Sequence, residues 1–167
     1  MGNFVPQSNV KSAVREIATP IADVTAFNTI VQAVLTNNPF GCTAYETSDG
    51  QMPAVAKTRE SYTARVLYED NEANLIGNVT ARAATVAGFG AAKTAILADT
   101  DLTTAMGGDP VNDSDGERYS ATLRCHDPSG EIYYVSFSRT EVRVTSYEAD
   151  AILTTVETWA DTVPALA

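Results

Sequence analysis

Apolar residues recur every three or four positions along residues 11–36, a spacing that places them on one side of an α-helix. Pro20 interrupts this spacing, because proline lacks the backbone N–H that a helix interior needs. The pattern therefore predicts two helices, over residues 12–19 and 21–35, with Thr19 as the N-cap of the second and Pro20 in its first position. The apolar positions that carry this prediction are Val14, Ile17, Ile21, Val24, Phe27, Ile30, Val31, Val34 and Leu35.

Two later regions alternate between apolar and polar residues, which is the pattern of a half-buried β-strand. The first predicts a hairpin of strands 62–69 and 75–83, joined by a turn at residues 70–72. The second predicts a hairpin of strands 119–126 and 132–137, whose turn at residues 127–130 has proline second and glycine fourth, as a type I turn favours. Residues 141–145 either continue the last strand or form a fifth one. The expected inward positions are Tyr62, Ala64, Val66 and Tyr68 in the first hairpin, and Tyr119, Ala121, Leu123 and Cys125 in the second.

Helical spacing returns after each hairpin. Residues 86–105 predict one helix that stops at Gly107 and Gly108, since glycine commonly ends helices. A last helix is predicted from Thr145 or Ser146 to Trp159 or Asp161. Its start is indicated by Thr145 and Glu148, which have the spacing of a capping box.

The predicted order is helix, hairpin, helix, hairpin, helix. Strands that cluster in antiparallel pairs, with helices between the pairs, indicate the α+β class. We therefore expect an antiparallel sheet of four to five strands built from two hairpins, with helices before, between and after it packed mainly on one face. Residues 1–10 are expected to form an extended N-terminal arm and residues 11–167 a single α+β domain. Residues 42–61 form a long connection with little pattern.

The charge balance excludes several classes of partner. Twenty-one acidic residues against 11 basic ones give a net charge of −10, which opposes binding to nucleic acid phosphates. No apolar run approaches the length of a membrane span, so we expect no membrane insertion. The first residues lack the basic and apolar regions of a secretory signal. No compartment follows from the sequence, although an extracellular surface or a particle is favoured.

Few residues offer catalytic or metal-binding chemistry. His126 follows Cys125 on a predicted strand, where neighbours point to opposite faces, so the two cannot form a thiolate–imidazolium pair. Cysteine and histidine together number three, too few for a closed zinc site, and the two cysteines are either bonded or free. The acidic loop 109–117 resembles a calcium loop at Asp113 and Asp115, but the match fails at both ends and a solvated turn is favoured. We therefore expect no cofactor, no metal and no enzyme activity; an enzyme would need carboxylates such as Glu60, Glu69 or Glu148 with raised pKa values in a pocket.

The basic residues favour contact with other proteins. Lysine occurs only three times and arginine eight times, and interfaces are depleted in lysine and enriched in arginine. Half of the arginines fall on outward positions of the predicted strands. We call these the arginine face: Arg65, Arg82, Arg124 and Arg143, accompanied by Thr63, Thr80, Thr122 and Thr145. β-propensity alone would also place threonine and arginine there. As a docking face, the guanidinium groups would bind carboxylates of another copy, such as Asp99, Asp101, Asp113 and Asp115.

The N-terminal arm carries two large apolar side chains, Phe4 and Val5, that a free tail would leave in water. They are expected to pack on the chain's own core or, as we favour, on an open sheet edge of the next subunit, for example near Tyr62 or Glu141. The sequence thus predicts a structural, self-assembling subunit of a filament, tube, sheath or virion-like particle, whose partners are other copies of itself. A small binding or accessory module is the alternative, and an enzyme that uses carboxylates in a helix–sheet cleft is the third.

Overall fold

The computed structural model describes residues 2–7, 11–42, 57–112 and 117–167 of the chain. These residues form four α-helices and eight β-strands, and the strand pairs are antiparallel. The α+β class is therefore confirmed, but the strands number eight rather than four to five. Two of the additional strands have only three residues each, too few to give an alternating pattern that a sequence could reveal.

The elements lie along the chain as follows. The strands are β1 Val5–Gln7, β2 Ser12–Glu16, β3 Lys57–Glu69, β4 Leu75–Ala83, β5 Asp109–Val111, β6 Arg118–His126, β7 Ile132–Ser138 and β8 Glu141–Thr145. The helices are α1 Val24–Asn37, α2 Val86–Ala98, α3 Thr100–Met106 and α4 Asp150–Asp161. A single 3₁₀ turn, Pro164–Leu166, follows α4.

The chain divides into two compact units: a first unit of Met1–Arg59 with Ser120–Ala167, and a second unit of Glu60–Tyr119. In the first unit the strand order is β1-β2-β8-β7-β6, so the start of the chain pairs with its last strand. One face of this sheet is buried and joins the buried sides of α1 and α4. Trp159 of α4 packs edge-on against Phe40 and Phe137, with ring centroids 5.1 and 5.5 Å away. The buried residues of this core include Phe27, Val31, Val34, Leu123, Val135, Val142, Val144, Ile152 and Val156.

In the second unit, β3 pairs with β4 from Tyr62 to Glu69, with a register shift between Tyr68 and Glu69, and with β5 at its end. The inward side chains of β3 are buried as the alternation predicts, namely Tyr62, Ala64, Val66 and Tyr68. The helices lie on the same side, since Phe89 of α2 packs edge-on against Tyr119 at 5.6 Å. Gly77 allows the close approach of α3, because a Cβ atom there would collide with the side chain of Met106.

The predicted helix over residues 12–19 is wrong, because Ser12–Glu16 is the strand β2. This strand pairs with β1 on one side and with β8 on the other. Its first four residues are all buried, whereas a surface helix would need an exposed polar face. The apolar spacing of so short a segment fits both structures, and pairing on both sides decides for the strand.

Three helix boundaries differ from the predicted ones, each because of a local hydrogen bond or backbone conformation. α1 is capped by Asp23 rather than Thr19: its carboxylate accepts hydrogen bonds from the N–H groups of Thr25 and Ala26 at 2.6 and 3.3 Å. The predicted helix 86–105 is two helices, because Asp99 ends α2 and caps α3. α4 begins at Asp150 instead of Thr145 or Ser146, because Thr145 ends β8 and Ser146 has a left-handed φ of 59°.

Both predicted hairpins are confirmed. The Gly130 N–H donates to the Asp127 carbonyl at 3.0 Å, which closes the predicted turn of the second hairpin, and residues 141–145 form a strand of their own. The edge expected near Glu141 is not an edge, since β8 pairs with β2 and β7. Near Tyr62, one side of β3 is paired with Ala83 of β4. Parts of the predicted arm, long connection and acidic loop lie outside the described residues. None of the described helices is long and apolar enough to span a membrane.

Candidate functional site

The outer face of the first unit carries two of the predicted arginines. Arg124 of β6 is opposite Tyr134 of β7, which is opposite Thr145 of β8. In the next row, Thr122 is opposite Ser136, which is opposite Arg143. Because residues two apart on a strand share a face, Arg124 and Arg143 lie on one face of the sheet, separated by β7.

A cavity of about 560 Å³ opens on this face. The described residues that line it carry two guanidinium groups, one phenol and two hydroxyls, and none of them is acidic: Thr58, Arg59, Thr122, Arg124 and Tyr134. The Arg124 Nε atom is buried and has no hydrogen-bond partner among the residues that the structure describes. Within the described part of the chain, neither Arg59 nor Arg124 forms an ion pair. The cavity therefore presents unneutralised positive charge in an acidic protein, which suits a carboxylate or another anion.

Sequence reasoning missed Arg59, because it lies in the segment that was expected to be an unpatterned connection. The strand β3 begins at Lys57, and Arg59 precedes Arg65 by six residues. Because residues an even number of positions apart on a strand lie on the same face, both arginines lie on the outward face. The first residues of β3 alternate no apolar side chains, which removes the usual signal of a strand. The one signal that could have placed Arg59 is its distance from the inward residue Tyr62. It lies three positions earlier, an odd number, and therefore belongs to the outward face if the strand extends that far.

The other three predicted arginines differ in their surroundings. Arg143 is 3.3 Å from the Glu141 carboxylate and is already paired, so it is less available than Arg124. In the second unit Arg65 is opposite Thr80 and Arg82 is opposite Thr63. These two arginines are therefore diagonal neighbours on one face, as the arginine face requires. The Arg65 Nε atom is buried and lacks a hydrogen-bond partner in the part of the chain that the structure describes, and Arg82 is exposed.

The arm residues Phe4 and Val5 lie against their own chain. Val5 is opposite Val14 of β2, and its side chain is 57% exposed. Phe4 is half-buried, and the Arg15 guanidinium stands 5.3 Å from the centre of its ring. The arm is thus an edge strand of the first unit in the single chain, held by three register pairs and one cation–π contact.

Arg15 itself was not expected to be buried. Its side chain is 1% exposed and donates from Nη2 to the Asp161 carboxylate at 2.6 Å. Its Nε and Nη1 atoms are buried, and no group in the described ranges of the chain forms a hydrogen bond with them. This arginine lies on the inward side of β2, which the helix prediction for residues 12–19 concealed.

The two cysteines lie together in the core as free thiols. The Cys42 Sγ atom is 3.7 Å from the Tyr133 hydroxyl, and Tyr133 is opposite Cys125 in the sheet. A hydrogen bond with Cys125 lowers the pKa of Cys42 to about 7, although burial opposes this shift. The same contact, together with burial, raises the pKa of Cys125. Both thiols are shielded from solvent, and His126 points to the opposite face, as the strand alternation predicts.

The last residue of the acidic loop 109–117 is not solvated, unlike the turn that the sequence predicts. Glu117 is buried, forms an ion pair with Lys93 and accepts a hydrogen bond from the Tyr119 hydroxyl. Its carboxylate is therefore committed to the core of the second unit. Asp113 and Asp115 lie outside the described residues. Within the described ranges no group of three histidine, cysteine, aspartate or glutamate side chains could hold a metal ion.

Comparison of the chain with protein-family models, with curated proteins and with solved structures finds no match in any of the three.

Proposed function

We propose that this protein is a structural, self-assembling subunit of a filament, tube, sheath or virion-like particle, and that copies join through the arginine face and the N-terminal arm. The observation that supports this most directly is the cavity containing Arg59 and Arg124, whose guanidinium groups have no acidic partner among the described residues. Arg124 is half-buried and Arg59 is exposed, so a carboxylate from outside the chain would stabilise the partly desolvated guanidinium of Arg124 in particular.

Other copies of the chain can supply that carboxylate. Asp101 is exposed in the first turn of α3, whereas Asp99 already accepts hydrogen bonds from the N–H groups of Asp101 and Leu102 at 3.0 and 3.1 Å. We therefore take Asp101 as the favoured partner of the cavity. Arginine binds a carboxylate through two parallel hydrogen bonds, which gives such a contact direction as well as attraction.

The arm adds a second route to association. β1 pairs with β2 over only three residues, and Val5 remains largely exposed. The β1 strand of a neighbouring copy can make the same register pairs and the same contact between Phe4 and Arg15. Such an exchange of identical elements between copies needs no new contacts, because it reuses those of the single chain.

The test of the cavity is the double variant Arg59→Gln/Arg124→Gln, compared with Thr25→Glu/Gln32→Glu. Both double variants make the net charge more negative by two, and the control positions are exposed on α1. We expect the arginine variant to lose its large assemblies, because it removes both guanidinium groups, and the control to keep them. Light scattering after size-exclusion chromatography and negative-stain microscopy measure the outcome.

Two results would contradict the proposal. If the wild-type protein stays at 17.7 kDa at high concentration, the chain does not self-assemble. If the arginine variant assembles like the wild type, the cavity does not join copies. Circular dichroism is the control for folding of each variant.

The cavity also supports a second candidate function, a binding module for a small anionic ligand. Its volume of about 560 Å³ falls within the range of small-molecule sites, roughly 300–1,000 Å³. In this case the protein is a monomer, and a dicarboxylate such as succinate raises its melting temperature. The Arg59→Gln/Arg124→Gln variant should abolish that rise, and an unchanged rise would show that the ligand binds elsewhere.

A further inference from the structure

The two cysteines of the chain belong to separate stretches of the first unit and meet in its core. Cys42 follows α1 in the stretch Met1–Arg59, and Cys125 lies on β6 in the stretch Ser120–Ala167. The Cys42 Sγ atom is 3.7 Å from the Tyr133 hydroxyl, and Tyr133 is directly opposite Cys125 in the sheet. The two thiols also form a hydrogen bond with each other. The fold therefore brings both sulfur atoms of the chain to one place.

The turn after α1 holds Cys42 in this position. The Asn38 side chain binds the Cys42 backbone twice: its Nδ2 atom donates to the carbonyl at 2.8 Å, and its Oδ1 atom accepts from the N–H at 3.0 Å. Asn38 has a left-handed φ of 46°, a conformation that asparagine tolerates better than most residues. The Gly41 N–H donates to the Asn38 carbonyl at 3.1 Å and completes the turn. These hydrogen bonds fix the backbone of Cys42 beside its partner thiol.

The surroundings of the thiols favour a reaction between them. The chain has no third cysteine, so neither thiol has another partner within the same chain. Cys125 is fully buried and Cys42 is 4% exposed, so a small oxidant reaches Cys42 first. The pKa of Cys42, lowered to about 7 by its hydrogen bond with Cys125, supports this order, because the thiolate is the reactive form of cysteine.

We propose that Cys42 and Cys125 are a redox modification site, at which an intrachain disulfide joins the two stretches of the first unit. The oxidant is a small disulfide such as oxidised glutathione. The Cys42 thiolate attacks one of its sulfur atoms, which forms a mixed disulfide and releases one glutathione. Cys125 then loses its proton and attacks the Cys42 sulfur, which forms the bond and releases the second glutathione. Two electrons pass to the oxidant, and the two thiol protons end on the two glutathione molecules.

The bond closes a loop from residue 42 to residue 125 that contains the whole second unit, Glu60–Tyr119. A crosslink across so long a loop strongly restricts the unfolded chain, so it should stabilise the first unit. Neither the arginine cavity nor a second copy of the chain takes part in the reaction. The inference is therefore independent of the proposed function.

The first test counts thiols after refolding. The reduced protein is unfolded and refolded in a mixture of oxidised and reduced glutathione, quenched with acid, alkylated and weighed by mass spectrometry. We expect a single chain in which both thiols are lost and no glutathione is attached. A refolded protein that keeps two free thiols overturns the proposal. Glutathione that stays attached, or a covalent bond between two chains, also overturns it.

The second test measures stability through the fluorescence of Trp159, which lies in the core of the first unit. The oxidised protein should melt about 5–15 °C above the reduced protein. Cys125→Ala is the control, because it has no second thiol and should melt at one temperature with or without the oxidant. Equal melting temperatures for the oxidised and reduced wild type would overturn the stabilising role of the bond.

The third test examines Asn38 as a positioning residue. Asn38→Gly keeps the left-handed backbone conformation but removes both hydrogen bonds to Cys42. It should slow the loss of the two thiols to oxidised glutathione by about tenfold, since the thiols are no longer held together. Asn37→Gly makes the same change at the exposed last residue of α1 and should leave the rate unchanged. Equal rates for the two variants would contradict the role of Asn38.

Discussion

Removing Asp161 should destabilise the first unit more than removing Arg15, although both changes break the same ion pair. The reason is the difference in burial: the Arg15 side chain is 1% exposed and the Asp161 side chain is 39% exposed. Asp161→Ala leaves a guanidinium in the core without its carboxylate, and two of its nitrogens already lack partners. Arg15→Met leaves instead a carboxylate that water can reach, and fills the core with an apolar side chain.

The magnitude follows from these exposures. Breaking a buried ion pair by removing one partner reduces the free energy of unfolding by about 3–5 kcal/mol. Water next to the exposed Asp161 already screens part of the attraction, so we expect about 2–3 kcal/mol for Asp161→Ala. Arg15→Met should change the free energy of unfolding by less than about 1 kcal/mol, since apolar replacements of buried charges are often neutral. The double variant should match Arg15→Met, because no buried charge remains to be paired.

Urea denaturation followed by the fluorescence of Trp159 measures this order directly. Trp159 is the only tryptophan of the chain and packs against Phe40 and Phe137 in the core of the first unit, so its emission reports on that unit. Equal losses of stability in the two single variants would refute the reasoning. So would a larger loss for Arg15→Met, since it would mean that packing by the arginine stem matters more than its charge.

Two further expectations concern glycines and a turn carboxylate. Gly90→Ala should stabilise the protein by about 0.5–1 kcal/mol, because the residue lies inside α2 with open space around its Cα. Gly108→Ala should lower the melting temperature, because a Cβ atom there collides with the backbone of Glu69, and circular dichroism on heating measures both variants. Hydrogen bonds from the Ser129 hydroxyl and from backbone N–H groups lower the pKa of Asp127, so its contribution to stability is present at neutral pH and is lost as the pH falls through that lowered pKa. Ser129→Ala should raise the Asp127 pKa in an NMR titration; an unchanged pKa would assign the shift to the backbone alone.

The hairpins could be predicted from sequence because their alternation is local and long. Nine residues of β4 and nine of β6 give several repeats of the pattern, and Asp127 and Gly130 mark the turn between β6 and β7. β2 could not be predicted in the same way. It has only five residues, and one of its two partner strands, β8, lies more than 120 positions away in the sequence. Only such distant pairing distinguishes it from a helix turn with the same apolar spacing.

The alternation of inward and outward residues along the strands predicts which side chains share a face, and the candidate site could be predicted only to that extent. Arg124 and Arg143 lie on one outer face because both strands alternate regularly. Alternation does not predict where the face forms a cavity or which arginines have an acidic partner. Side-chain geometry decides that Arg143 is paired with Glu141, whereas Arg124 has no acidic partner among the described residues. Arg59 belongs to the cavity only because β3 begins before its apolar pattern does.

The proposed contact through the cavity joins two different surfaces, and this decides what kind of assembly it builds. A carboxylate such as Asp101 of one copy in the cavity of Arg59 and Arg124 of the next is a contact that continues from copy to copy unless a ring closes. Removal of the cavity arginines should therefore abolish extended assemblies and closed rings alike, and negative-stain microscopy measures their loss.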